Sequence, residues 1–227
     1  MQELLYRFGP SKKIPEIIRI LREKTHGMIE PMSFSIVALY GRDPFLILVS
    51  CLLSSRTKDS VVLPASLRLF EVAKTPEQLK KISLIHIEKL IFPIGFYRNK
   101  AKHLHKLCDQ LLSNYGGKVP ESFMELMQLS GVGPKTANLV LGVGFGKPAL
   151  CVDTHVHRIC NRLGLVNTKN PLETERALQL IVPKEDWIEL NRLLVMWGQN
   201  VCTPFLPYCS RCALSSLCLK KEVTKNR

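Results

Sequence analysis

An all-α fold is predicted by three features of the 227-residue sequence. Apolar residues recur at helical spacing through most of the chain, and alternating period-two runs of Val, Ile and Thr are nearly absent. Helix start and stop signals fall where that periodicity begins and ends, which gives about ten helices joined by short turns.

The elements follow in order. The opening stretch, MQELLYRFGPSKK, mixes charges into its apolar residues and lacks the ordered basic, apolar and small-residue regions of a secretory signal. Asp43 and Pro44 supply an N-cap and a first-turn proline ahead of FLILVSCLL. That run, Phe45 to Leu53, is about half the roughly 18 to 20 apolar residues that a bilayer requires, so it reads as a buried helix. Thr75, Pro76 and Glu77 repeat the start signal before EQLKKI. Between Ala101 and Leu112, the positions Ala101, Leu104, Leu107, Cys108, Leu111 and Leu112 form one stripe, which Gly116 and Gly117 end. Two stretches echo each other, PIGFYRNKA (Pro93 to Ala101) and LSGVGPKTA (Leu129 to Ala137): each sets a glycine turn between helices and a lysine near the second start. No low-complexity linker is present, so a second domain would pack against the first.

Lys and Arg number 32 against 19 Asp and Glu, a formal charge of +13, which favours a polyanionic partner such as nucleic acid, although an ordinary basic surface has the same count. The basic stretch Arg98, Lys100, Lys102 and Lys106 serves either to steer DNA or as a solvated helix face. With neither a secretory signal nor a membrane span, an intracellular, reducing location is expected. Eight cysteines there suit core packing or metal ligation better than disulfides.

Gly131 and Gly133 permit a tight turn with unshielded amides, and Pro134 opens the following helix; such a helix start holds a phosphate, or is a plain helix-helix turn. Lys135 is then either a phosphate contact or a nucleophilic amine. The second role needs the neutral form, against an ordinary pKa of about 10.4, and the positive end of a helix dipole together with partial desolvation would favour it. Asp153, in CVDTHVHR, caps a helix beginning at Thr154 or His155. As a charge it would also serve as an acid or base, or stabilise a developing sugar cation, wherever the chain brings it to the amine.

Cys202, Cys209, Cys212 and Cys218 are separated by six, two and five residues, and Pro204 and Pro207 prevent a continuous helix, so four thiolates can converge on one metal centre. One short and two long intervals suit an iron-sulfur cluster better than zinc, which usually pairs two short hooks. Cys51, Cys108, Cys151 and Cys160 lie in apolar surroundings and read as core residues.

Together, LSGVGPKTANLVLGVGFGKPALCVDTH and the cysteine spacing C-x6-C-x2-C-x5-C resemble endonuclease III, the helix-hairpin-helix DNA glycosylases that carry a 4Fe-4S cluster, from about Asp43 to Cys218. The resemblance implies two helical domains with a DNA-binding cleft between them: a helical barrel over 37–147 containing the hairpin, and a cluster domain formed by 1–36 and 148–227. It implies a bifunctional glycosylase and AP lyase that removes oxidised pyrimidines from duplex DNA, flipping the damaged nucleotide out of the stack. Lys135 falls on the family's Schiff-base lysine, Asp153 on its catalytic aspartate, and the four cysteines on its cluster ligands. The hairpin residues Gly131, Val132, Gly133 and Thr136, with His155, fall on DNA contacts. The implied partner is double-stranded DNA with a damaged base or abasic site, bound by a monomer, away from membranes and, in a prokaryote, in the nucleoid-associated cytoplasm.

Arg56, in LLSSRTKD, falls in the loop that enters the duplex, where many relatives carry glutamine; arginine would stack on a base or bond guanine more strongly, which bears on the opposite-base preference. Phe96 falls on a wedge position, often leucine in relatives, or is a core aromatic at a helix end. Two other readings stay open. A mismatch-specific glycosylase differs mainly in substrate, and its adenine-removing branch has serine or another residue where Lys135 stands. A non-catalytic hairpin module binding DNA needs only the turn and the charge.

Overall fold

The computed structural model describes residues 12–227; the opening stretch that argued against a secretory signal lies outside the described residues. Among the described residues every regular element is helical, with twelve α-helices where about ten were expected. The chain forms two compact units, one from the residues up to Glu30 with Pro148–Arg227, the other from Pro31–Lys147.

In the first unit, α1 (Lys13–Lys24) buries Ile14, Ile17, Ile18 and Leu21 at helical spacing on one face.

The second unit, Pro31–Lys147 against the 37–147 that the resemblance implied, opens with α2 (Met32–Tyr40). The next helix, α3 (Pro44–Ser54), is buried from Phe45 to Leu53, as a helix that is apolar all round must be. The Asp43 carboxylate starts it, accepting from Phe45 N (2.9 Å) and Leu46 N (3.0 Å). Against α3 packs α4 (Asp59–Val72), followed by α5 (Pro76–Lys81), capped by the Thr75 hydroxyl, and α6 (Leu84–Ile91), capped by the Ser83 hydroxyl. The longest helix, α7 (Tyr97–Tyr115), buries Ala101, Leu104, Leu107, Cys108 and Leu111, with Leu112 half-buried. Gly116 ends it in the left-handed conformation, φ 58°. The short α8 (Phe123–Leu126) and α9 (Pro134–Leu139) flank the glycine turn. Past its last residue α9 widens into a π turn, Val140–Gly144, which closes with Phe145 N on Val140 O at 3.1 Å.

The first unit resumes with α10 (Thr154–Leu163), α11 (Pro171–Ile181) and α12 (Trp187–Asn200). Its core joins Ile14, Ile17 and Leu21 to Val156, Ile159, Leu163, Leu190, Leu194 and Trp197. Paired carboxylate and guanidinium groups add to this packing: Arg22 donates from Nε and Nη2 to the two oxygens of Glu189, and Arg192 binds Glu30.

Cys51, Cys108, Cys151 and Cys160 are buried in these cores. Burial pushes the Cys51, Cys108 and Cys160 thiols up to about 12, which keeps them protonated and unreactive. Among the described residues no helix is long and apolar enough to cross a membrane.

Candidate functional site

The hairpin forms where the glycines fall, but the two glycines do different work. Gly131 has φ +81°, a left-handed conformation that a side chain disfavours. A Cβ there would also come within 3.2 Å of His103 Nδ1 and Leu52 Cδ2. Gly133 is extended, φ −114°, at the N-cap of α9, with open space where a Cβ would stand. The Val132 side chain is buried and its N–H bonds to Leu129 O at 3.1 Å, which anchors the turn. The first helical bond of α9 runs from Ala137 N to Gly133 O at 2.9 Å, so the amides just ahead of it lie at the dipole's positive end. Thr136 is half-buried in this first turn.

Lys135 is the second residue of α9, exposed, and its charge acts on the Cys51 thiol of α3 against the burial that raises it. Two side chains of α7 brace the hairpin, with no mark in the sequence to single them out. Gln110 accepts from Ser130 N (2.7 Å) and donates to Gln128 O (3.0 Å), and His103 Nδ1 meets Ser130 Oγ at 3.1 Å.

In the other unit Asp153 is the N-cap of α10. Its Oδ1 accepts from His155 N (2.8 Å) and Val156 N (2.9 Å), which fixes the carboxylate at the helix start. His155 Nδ1 meets Arg158 Nη2 at 3.2 Å, and the ring packs so closely on Gly198 that a Cβ there would lie 2.5 Å from Nδ1.

Arg56 and Phe96 are brought together within their unit, the Arg56 guanidinium carbon 5.7 Å from the centroid of the Phe96 ring. Phe96 is 61% exposed, which removes the core-aromatic reading. Lys100 corrects an expectation, because it leaves the basic stretch: it is 8% exposed and its ammonium bonds to the backbone of the Leu53–Thr57 segment.

Cys202, Cys209, Cys212 and Cys218 lie half-buried in the loop after α12. Burial pushes the Cys212 and Cys218 thiols up, and each feels the charge of other cysteines of the set, Cys202 and Cys218 for the first and Cys202 and Cys209 for the second. Donors point at the sulfurs: Arg162 Nη1 lies 3.4 Å from Cys202 Sγ and Lys220 N lies 3.3 Å from Cys218 Sγ. Among the described residues no three His, Cys, Asp or Glu groups are packed closely enough to hold a single metal ion. Arg158 and Arg162 of α10, which sequence reasoning passed over, hold the loop's first turn through Cys202 O (2.7 Å), Thr203 O (2.8 Å) and Pro204 O (2.6 Å).

Comparison with known proteins places this geometry. The family described as HhH-GPD superfamily base excision DNA repair protein matches residues 49–184. Endonuclease III of Thermotoga maritima is 46% identical over 196 residues, 84% of this chain and 92% of its own. Among solved structures, a non-covalent endonuclease III–DNA complex is similar with a TM-score of 0.82 at 36% identity, covering 92% of this chain and 95% of that one. A trapped endonuclease III–DNA covalent intermediate matches with a TM-score of 0.76 at 37% identity, covering 91% and 95%. The hairpin with its lysine, the capped aspartate and this breadth of likeness have one reading: the chain belongs to the endonuclease III family of helix-hairpin-helix base excision repair enzymes, and is a DNA glycosylase and AP lyase.

Proposed function

We propose that this enzyme removes oxidised pyrimidines from duplex DNA and that Lys135 is its nucleophile. The neutral Lys135 amine attacks C1′ of the everted nucleotide; the new N–C1′ bond displaces the base, which departs with the bonding pair and takes up a proton. The sugar ring then opens to a protonated imine. A base withdraws a proton from C2′, the 3′ C–O bond breaks, the phosphate leaves, and water returns the lysine. Asp153 supplies the carboxylate of this sequence, moving protons and offsetting the sugar's developing positive charge. Capping suits such a role, since the two hydrogen bonds to Oδ1 hold the carboxylate in one place at the start of α10.

Gly131, Gly133 and Thr136 would hold a backbone phosphate at the start of α9, His155 a second, and Arg56 and Phe96 would enter the space the nucleotide vacates. The substrate would be double-stranded DNA with a damaged base or an abasic site, and the enzyme would act as a monomer. Cys202, Cys209, Cys212 and Cys218 fit a 4Fe-4S cluster by their chemistry, four thiols in one loop with donors at two sulfurs. Once bound, it would order that loop and the basic side chains on it.

One observation supports the nucleophile most directly, a lysine in the first turn of α9 behind the glycine hairpin, in a chain similar to a protein caught covalently on DNA. Borohydride reduces an imine to a stable amine, so the wild-type enzyme should become joined to abasic DNA. A Lys135→Gln variant should bind the same DNA and not be trapped; trapping at the wild-type level would remove Lys135 from this role. Duplexes bearing thymine glycol, compared with undamaged mismatches, separate a damage-specific from a mismatch-specific enzyme.

A further inference from the structure

One buried ammonium ties the segment between α3 and α4 to the first turn of α7. Lys100 Nζ donates to Leu53 O (2.8 Å), Ser55 O (2.6 Å) and Thr57 Oγ1 (3.3 Å), three acceptors for the three donors of an ammonium. Leu53 O and Ser55 O stand at the C-terminal end of α3, where the last carbonyls and the negative end of the dipole favour a cation. Thr57 Oγ1 also accepts from Gly95 N at 3.2 Å and donates to Ser55 O at 3.3 Å, so a single hydroxyl joins this segment to the turn before α7. Their closeness dictates Gly95: a Cβ there would lie 3.3 Å from Arg56 O and 3.3 Å from Thr57 Oγ1.

Two large side chains stand on this frame in a backbone conformation they disfavour, Arg56 at φ 55° and Phe96 at φ 58°. Each such residue is strained and persists only where its surroundings impose that conformation. Neither side chain offsets that strain by burial, for Arg56 is exposed and the Phe96 ring is 61% exposed. A flat ring beside a guanidinium is suited instead to stack on unpaired nucleobases.

We infer that Lys100 is a positioning residue, whose ammonium locks the Leu53–Thr57 segment to the first turn of α7 and so presents Arg56 and Phe96 together, already ordered, to the bases left behind when a nucleotide leaves the stack. The inference rests on the DNA glycosylase reading above. Its physical content is preorganisation: the two side chains meet DNA without an ordering cost at the moment of insertion. Without the ammonium, the carbonyls of Leu53 and Ser55 lose their shared donor, and Arg56 and Phe96 relax toward ordinary φ values.

The test uses Lys100→Met, which keeps the stem and removes the donors, and Lys100→Arg, which keeps a cation. Insertion is read from the fluorescence of 2-aminopurine opposite a non-cleavable tetrahydrofuran abasic analogue, a signal that changes as the neighbouring stack opens. In Lys100→Met that change should fall by half or more and base release from a thymine glycol duplex should slow about tenfold or more. Lys100→Arg should recover part of the fluorescence change. A wild-type fluorescence change and wild-type base release in a folded Lys100→Met protein would overturn the lock. If Lys100→Met does not fold, Thr57→Val removes the hydroxyl that joins the two segments, and a wild-type response in that variant would overturn it equally. A wild-type enzyme that releases no damaged base would refute the functional reading, while the analogue would still report on the lock.

Discussion

The guanidinium of Arg56 sits beside the ring of Phe96, 5.7 Å from its centroid, although the two residues come from different inter-helix segments. Arginine carries five donors and no acceptor, so against an unpaired base it favours edges rich in acceptors, of which guanine O6 and N7 form the strongest pair. Arg56→Gln replaces this cation with a group that both donates and accepts. Base release from one lesion placed opposite guanine should drop relative to the same lesion opposite adenine, by at least about fivefold if a pair worth roughly 1 kcal/mol is lost. An unchanged ratio of the two rates would mean that Arg56 does not read the opposite base.

Asp153 combines a structural and a proposed chemical role, and one substitution separates them. Asn caps a helix about as well as Asp, because its side-chain oxygen accepts the same bonds from His155 N and Val156 N. Asp153→Asn should therefore melt close to the wild type while base release falls by about one order of magnitude or more. Asp153→Ala loses the cap as well, at about 1 kcal/mol of stability. Normal turnover by the Asn variant would leave Asp153 as a helix cap alone.

What the sequence made legible was local. Asp43, Thr75 and Gly116 act on backbone groups within a few residues of themselves, so caps and helix ends could be read from residue type. Lys135 and Asp153 stood out because a glycine turn and a helix start leave marks in the chain. Lys100 did not: its partners are backbone carbonyls 47 and 45 residues away, and carbonyls carry no residue signature. In the sequence it reads as one more charge on a basic helix. Arg158 and Arg162 were hidden for the same reason, since they serve the carbonyls of Cys202, Thr203 and Pro204. Prolines at 204 and 207 are the signal that could have found them, because a segment that cannot form a helix leaves carbonyls for a buried arginine to satisfy.

The hairpin glycines, alike in the sequence, should part company on substitution. Gly131→Ala puts a side chain at φ +81° and within 3.2 Å of Leu52 and His103, so it should cost about 1 to 2 kcal/mol of stability, measured by urea unfolding. Gly133→Ala meets nothing within 4 Å and keeps an ordinary φ. It should unfold like the wild type and still bind duplex DNA more weakly, because a methyl group now stands where a phosphate would approach the amides. Equal stability of the two variants would contradict the geometry.

Lys100 also gives stability a pH dependence of definite sign. Burial holds its ammonium down at about 8, against an ordinary 10.5, so the unfolded chain binds the proton more tightly than the folded one. Below about pH 8 both states carry it, and the folded state bears the full cost of a buried charge. Between about 8 and 10.5 the folded protein has released the proton and the unfolded chain has not, so the contribution of Lys100 to stability rises with pH across that window. At about 1.4 kcal/mol for each tenfold change in proton affinity, the rise over the whole window is on the order of 3 kcal/mol. The Cys51, Cys108 and Cys160 thiols act the other way: raised from 9.0 to about 12, they hold protons that the unfolded chain gives up, and they lower stability above about pH 9. Comparison of the wild type with Lys100→Met cancels the thiols. Unfolding free energies measured from pH 7 to 10 should show the wild type gaining on the variant as pH rises; parallel curves would mean that this amine titrates as it does in water.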